Sequence, residues 1–151
     1  LNVEAIYRFH PRFRDADFKI WFGGADHDWG LARMEGGDIM PIGNGVVLVG
    51  LGERSTARAV STLAKNLFEA GAARLVIGAQ MPRERAAMHL DTVFTFADRD
   101  IVTLYPTIMD AVHTFTLLPS DAAPGDKFHP PPPAVQPVRN VRKRFPFSRS
   151  L

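Results

Sequence analysis

Cysteine is absent from all 151 residues. That excludes disulfides, thiolate metal sites and a cysteine nucleophile within the chain. No run approaches the ~18 apolar residues of a membrane span, and the opening Leu1-Asn2-Val3-Glu4 does not read as a signal peptide. Net charge is scarce as well, only +2, so a bulk polyelectrolyte such as nucleic acid is no default partner. What is abundant is ordinary globular material. Hydrophobic residues make up 46% and charged residues 23%, which excludes a wholly disordered chain. The length suits one domain. A start at Leu1 rather than Met fits a piece of something longer.

The charge is unevenly spread. Residues 1–119 carry 12 basic and 14 acidic side chains, whereas residues 120–151 carry 6 and 2. The second stretch also holds 7 of the 12 prolines, including Pro130-Pro131-Pro132-Pro133. Repeated proline removes backbone donors and favours polyproline II. A boundary is therefore expected near Pro119, with a domain over 1–119 and a Pro-rich, basic, disordered tail over 120–151. The run Arg139–Arg144 lacks interleaved aromatics and is a weak signal for phosphate or membrane contact.

Ahead of the boundary the pattern is regular. Ile39-Met40-Pro41-Ile42, the turn signal Gly43-Asn44-Gly45 and Val46-Val47-Leu48-Val49 predict a hairpin. Val60, Leu63, Ala64, Leu67 and Phe68 follow helical spacing, with Ser55 a candidate N-cap and Gly71 just past the end. Leu75-Val76-Ile77 is a short apolar strand. The unit reads strand, strand, helix, strand. A second hairpin is expected from Thr92–Phe96, a turn at 97–100, and Ile101–Tyr105. Its entrance, Met88-His89-Leu90-Asp91, echoes Met34-Glu35-Gly36-Gly37-Asp38, a degenerate repeat with a short ionisable motif after methionine.

These entrances hold the candidate site. Glu35 precedes Gly36-Gly37, where missing side chains permit close approach, and an ionised carboxylate suits a donor-rich cation such as guanidinium. The alternative is an acid in an exposed turn. His89 and Asp91, two apart at the mouth of an expected strand, would share one face. They suit proton handling beside a carboxylate, or two metal ligands lacking a third, or a strand-end histidine with ordinary neighbours. Arg54 lies just before a helix start, where a cation opposes the helix dipole; an anionic ligand would relieve the conflict, and a solvated turn arginine is the alternative. Asp38 reads as structural, bonding local backbone at the hairpin entrance. Trp21 and Trp29 are expected to pack in an approach loop, and His10, His27 and His113 have no suggestive spacing.

Four stretches together resemble bacterial arginine deiminases of the guanidino-group-modifying superfamily. They are Ile6-Tyr7-Arg8-Phe9-His10-Pro11, Met34–Gly45, Gly52-Glu53-Arg54-Ser55 and Arg85–Phe94, in family order and spacing across residues 6–119. The resemblance implies a partial five-bladed α/β propeller, the pentein fold, built from strand-strand-helix-strand units. It implies that Glu35 and Asp91 hold the substrate guanidinium, that His89 moves protons, and that Arg54 binds the substrate carboxylate. The implied reaction is hydrolysis of L-arginine to citrulline and ammonia in the cytoplasm, with no metal, cofactor, nucleic-acid or membrane partner. Homo-oligomers are open for the full-length family.

The departures are equally clear. The family's Gly-rich His-Cys segment, which supplies the nucleophile, is missing, and so is an upstream region. After Leu117-Leu118-Pro119 the sequence stops resembling the family and becomes Pro-rich and basic. The expectation is a truncated or frame-shifted product, inactive alone. Two other classes stand beside it: an arginine-binding module without turnover, and an interaction protein whose proline run docks an aromatic groove. Amidinotransferases and methylarginine hydrolases are alternatives within the superfamily.

Overall fold

The computed structural model of the protein describes residues 2–120, and the remainder of the expected tail, residues 121–151, lies outside the described residues. The first hairpin forms as its turn residues dictate. Strands β1 (Ile39–Gly43) and β2 (Val46–Leu51) pair antiparallel across Asn44-Gly45. Both loop residues have positive φ, +50° and +68°, the geometry that a two-residue turn with the right twist demands. Pro41 is tolerated because, among the described residues, β1 is a sheet edge and pairs with β2 alone.

From β2 the chain crosses through helix α2 (Ala57–Glu69) to β3 (Leu75–Gln80), which pairs parallel with β2 from Val46↔Leu75 to Leu51↔Gln80. The expected strand-strand-helix-strand unit is therefore present. Strand β6 (His113–Leu117) adds a fourth, antiparallel to β3, giving the order β1-β2-β3-β6. Helix α2 buries Ala59, Val60, Leu63, Ala64 and Leu67, one apolar stripe. Its N-cap is Thr56, whose hydroxyl accepts from Ala59 N at 3.3 Å, and not Ser55 as the sequence suggested. Gly71, at φ +65°, reverses the chain after the last turn, as expected.

Central strand β2 is covered on both faces. Val47, Val49 and Leu51 join Val60, Leu63, Leu67 and Val76 in a core beneath α2. Leu48 faces the other way, with Met40, against Ala79, Met81, Leu90, Val93 and Ile108. Phe115 lies across Gly78 of β3: a Cβ there would stand 2.3 Å from the ring, so the glycine makes room for the aromatic.

The second entrance differs from expectation. Thr92 and Val93 do not begin a strand; Leu90–Val93 form a single helical turn, α3, because Leu90 and Val93 bury together in the second core. Strands β4 (Phe94–Phe96) and β5 (Val102–Leu104) then make a shorter antiparallel hairpin as a separate two-stranded sheet. Ile101 and Tyr105 fall outside it, and the short helix α4 (Pro106–Met109) leads on to β6. Upstream, helix α1 (Asn2–Phe9) is tied to the approach loop by the ion pair of Arg8 with Asp26 and by Glu4 Oε1, which accepts from Ala25 N at 3.1 Å. In that loop Trp29 packs on Phe22 and His27, while Trp21 packs against the core under α2. The fold is α/β with a mixed main sheet, and among the described residues no sheet closes on itself.

Candidate functional site

The two entrances are structural counterparts. Glu35 is an extended residue (φ −120°, ψ 148°) capping the 3-10 turn Gly36–Asp38, which feeds β1. His89 is an extended residue (φ −137°, ψ 158°) capping α3, which feeds β4. The same local device thus projects one ionisable side chain from each hairpin entrance.

The two side chains meet. His89 Nε2 lies 2.5 Å from Glu35 Oε2, and the other carboxylate oxygen accepts from Arg54 Nη1 at 3.4 Å. Arg54 Nη2 also lies 3.5 Å from Met88 Sδ. Glu35 and Arg54 are a little under half exposed and His89 about one-fifth, so solvent reaches the group from one side. Arg54 is an exposed residue of the turn before α2, and in this structure its guanidinium pairs with the Glu35 carboxylate.

Asp91 joins from α3, though not by sharing a strand face with His89. The two flank Leu90 at the start of a helical turn, and Leu90 points into the core. The Asp91 carboxylate lies over Gly37. A Cβ at Gly37 would stand 2.8 Å from Asp91 Oδ2, so the second glycine of Gly36-Gly37 is what admits Asp91 beside the Glu35 turn. Among the described residues, no three His, Asp or Glu side chains are grouped to hold a metal ion.

Beneath this open group sits a buried one that the sequence reading missed. Asp38 is fully buried, and its partners are not local backbone. Its Oδ1 accepts from Leu90 N at 2.8 Å and its Oδ2 from Ser55 Oγ at 2.6 Å, and Ser55 Oγ in turn accepts from Glu35 N at 3.2 Å. Burial pushes the Asp38 carboxyl above its ordinary value. The Ser55 and Leu90 hydrogen bonds and the His89 charge oppose that rise, while Asp91 adds to it. Only adjacency could have hinted at these roles: Ser55 follows Arg54, and Asp38 follows Glu35 by three.

An open cavity of about 430 Å³ adjoins Glu35 and Arg54, walled by Phe22, Trp29, Ala32, Arg33, Met34 and Glu53. Glu35 both lines this cavity and bonds His89. The cavity therefore opens onto a carboxylate that already carries one guanidinium. A sequence model of the arginine deiminase family matches residues 1–134.

This chain belongs to the arginine deiminase family.

Membership places the protein among hydrolases that act on guanidino groups, with arginine as the family's substrate. The match runs beyond Pro119 into the Pro-rich stretch, so the resemblance does not end at Pro119, as the motifs alone had suggested. No described helix is long and apolar enough to cross a membrane.

Proposed function

We propose that this chain carries the half of an arginine deiminase site that grips L-arginine, and that it binds arginine without converting it. Glu35 and Asp91 take the substrate guanidinium, His89 exchanges protons with the reacting nitrogens, and Arg54 turns to the substrate carboxylate. The observation that carries the reading is the Glu35 carboxylate, held by His89 on one oxygen and by a guanidinium on the other. A carboxylate that accepts from the Arg54 guanidinium is chemically suited to a substrate of the same group. An incoming arginine would displace Arg54 from Glu35 and offer it a carboxylate in exchange.

Hydrolysis to citrulline and ammonia needs a nucleophile at the guanidinium carbon, and the 151 residues contain no thiolate to form the covalent intermediate. Ser55 cannot substitute, because it is buried with its hydroxyl committed to Asp38. The strand-strand-helix-strand unit with a second hairpin beside it supports reading the chain as one blade and part of the next in a pentein propeller. Isothermal titration of the full chain with L-arginine tests the proposal. Saturable binding is expected, weakened at least ~10-fold, or ~1.4 kcal/mol, by Glu35→Gln or Asp91→Asn, each of which removes a charge-assisted pair. Citrulline release should stay at background. Equal binding by all three proteins, or robust turnover abolished by His89→Ala, would overturn it.

A further inference from the structure

The exposed group and the buried one are built from the same three pieces of chain. Glu35, Arg54 and His89 come from distant segments, and their side chains meet at the surface. Directly beneath, a continuous hydrogen-bond chain runs from Glu35 N to Ser55 Oγ, from Ser55 Oγ to Asp38, and from Leu90 N to the other oxygen of Asp38. Its anchor points are Glu35 itself, the residue after Arg54 and the residue after His89. The Glu35 carbonyl closes the loop by accepting from Asp38 N at 3.1 Å.

We propose that Asp38 and Ser55 are positioning residues that hold the segments bearing Glu35, Arg54 and His89 in register, so that the Glu35 carboxylate is fixed against His89 Nε2. This rests on the reading of Glu35 and His89 as members of the arginine site.

Polarity in the chain runs one way. An ionised Asp38 only accepts, so the Ser55 hydroxyl must donate to it, which leaves the Ser55 lone pairs free for Glu35 N. With asparagine at 38, the amide would donate towards Ser55 Oγ, and the buried Ser55 hydroxyl proton would lose its acceptor. Gly50 shows how closely the fit is made: a Cβ there would stand 2.5 Å from Asp38 Oδ1 and 2.9 Å from Leu90 Cβ. The β2 backbone is bare at this point so that the carboxylate can lie against the sheet.

The test uses the full chain, with Asp38→Asn, Ser55→Ala and, as a control for simple destabilisation, Thr56→Ala, which removes the α2 cap outside the chain of bonds. The first readout is the His89 tautomer, taken from imidazole nitrogen-15 shifts of the neutral ring. A carboxylate partner fixes the proton on Nε2, so wild type and Thr56→Ala should hold a single Nε2–H tautomer. Asp38→Asn and Ser55→Ala should show a mixture, as should Glu35→Gln. The second readout is arginine affinity, expected to fall about tenfold in the two positioning variants and to hold in the control. An unchanged tautomer in a folded Asp38→Asn or Ser55→Ala protein overturns the inference. Should one variant not fold, the other carries the comparison, and Gly50→Ala perturbs Asp38 by contact alone. If wild type binds no arginine while the tautomer still responds, the binding proposal fails and the positioning role stands.

Discussion

Asp38 is a carboxyl whose burial and hydrogen bonds pull in opposite directions, and its pKa rises above the ordinary 3.8 because desolvation dominates. A group that titrates higher in the folded chain than in the unfolded chain binds its proton more readily when folded. Folding stability contributed by this site therefore falls as pH climbs from about 4 through the raised value, and then levels off. Asparagine at 38 does not titrate. The stability of wild type minus that of Asp38→Asn should thus decline over that window, measured by urea unfolding at a series of pH values. Other groups titrate in both proteins, with His89 and Asp91 the charged neighbours to hold in view. A flat or rising difference would show that hydrogen bonding, not desolvation, governs Asp38. At this scale the sequence singled out Glu35, His89, Asp91 and Arg54 as candidates, because each stands beside a local signal: a glycine pair, a hairpin entrance, a helix start. Asp38 and Ser55 were noticed but given local partners, because the bond between Asp38 and Leu90 N spans 52 residues and leaves no local trace.

Helix α2 was legible because burial at Ala59, Val60, Leu63, Ala64 and Leu67 imposes the 3.6-residue period on the chain itself. Its first residue was not, because Ser55 and Thr56 are both capping hydroxyls and only tertiary contacts divide their work. Ser55 turns inward to Asp38, whereas Thr56 accepts from Ala59 N and Arg33 N. Thr56→Ala should accordingly cost about 1–2 kcal/mol with an unchanged denaturant slope, since a cap and a loop contact are lost together. A cost under about 0.3 kcal/mol would mean that another group caps α2. The first hairpin was readable from Asn44-Gly45, whose positive φ values few other pairs supply. The second was read too long: β-branched Thr92 and Val93 favour strand locally, but burial of Leu90 and Val93 against Met81 and Ile108 wins and winds them into α3. Strand β6 offered only Phe115 and Leu117 as alternating apolar positions, and its placement depends on Gly78 across the sheet.

The main sheet ends in two unlike edges, and the difference bears on how the whole chain behaves in solution. On one side β1 carries Pro41, which has no N–H to offer a neighbouring strand. On the other side β6 pairs with β3 alone among the described residues, and His113–Leu117 contains neither proline nor a lysine or acid to discourage pairing. Apolar side chains add to the exposure: Val3, Ile6 and Phe9 on α1, and Ile101, Leu104 and Tyr105 around the small sheet. An edge that no other described strand pairs with, flanked by apolar surface, favours strand addition from a second molecule. The full chain is therefore expected to self-associate as concentration rises, through β6 rather than β1. Thr116 is exposed and sits opposite Ile77, so a lysine there leaves Phe115 and Leu117 in the core while placing a charge on the edge. In sedimentation velocity across a concentration series, Thr116→Lys should remain smaller than wild type, and Ile42→Lys on β1 should not. The proposed arginine site is built from the β1 entrance, the turn before α2 and α3, none of which pairs with β6, so arginine affinity should be equal in wild type and Thr116→Lys. Association that survives Thr116→Lys but disappears when Ile6 and Phe9 of α1 are made polar would move the contact from the sheet edge to the helix.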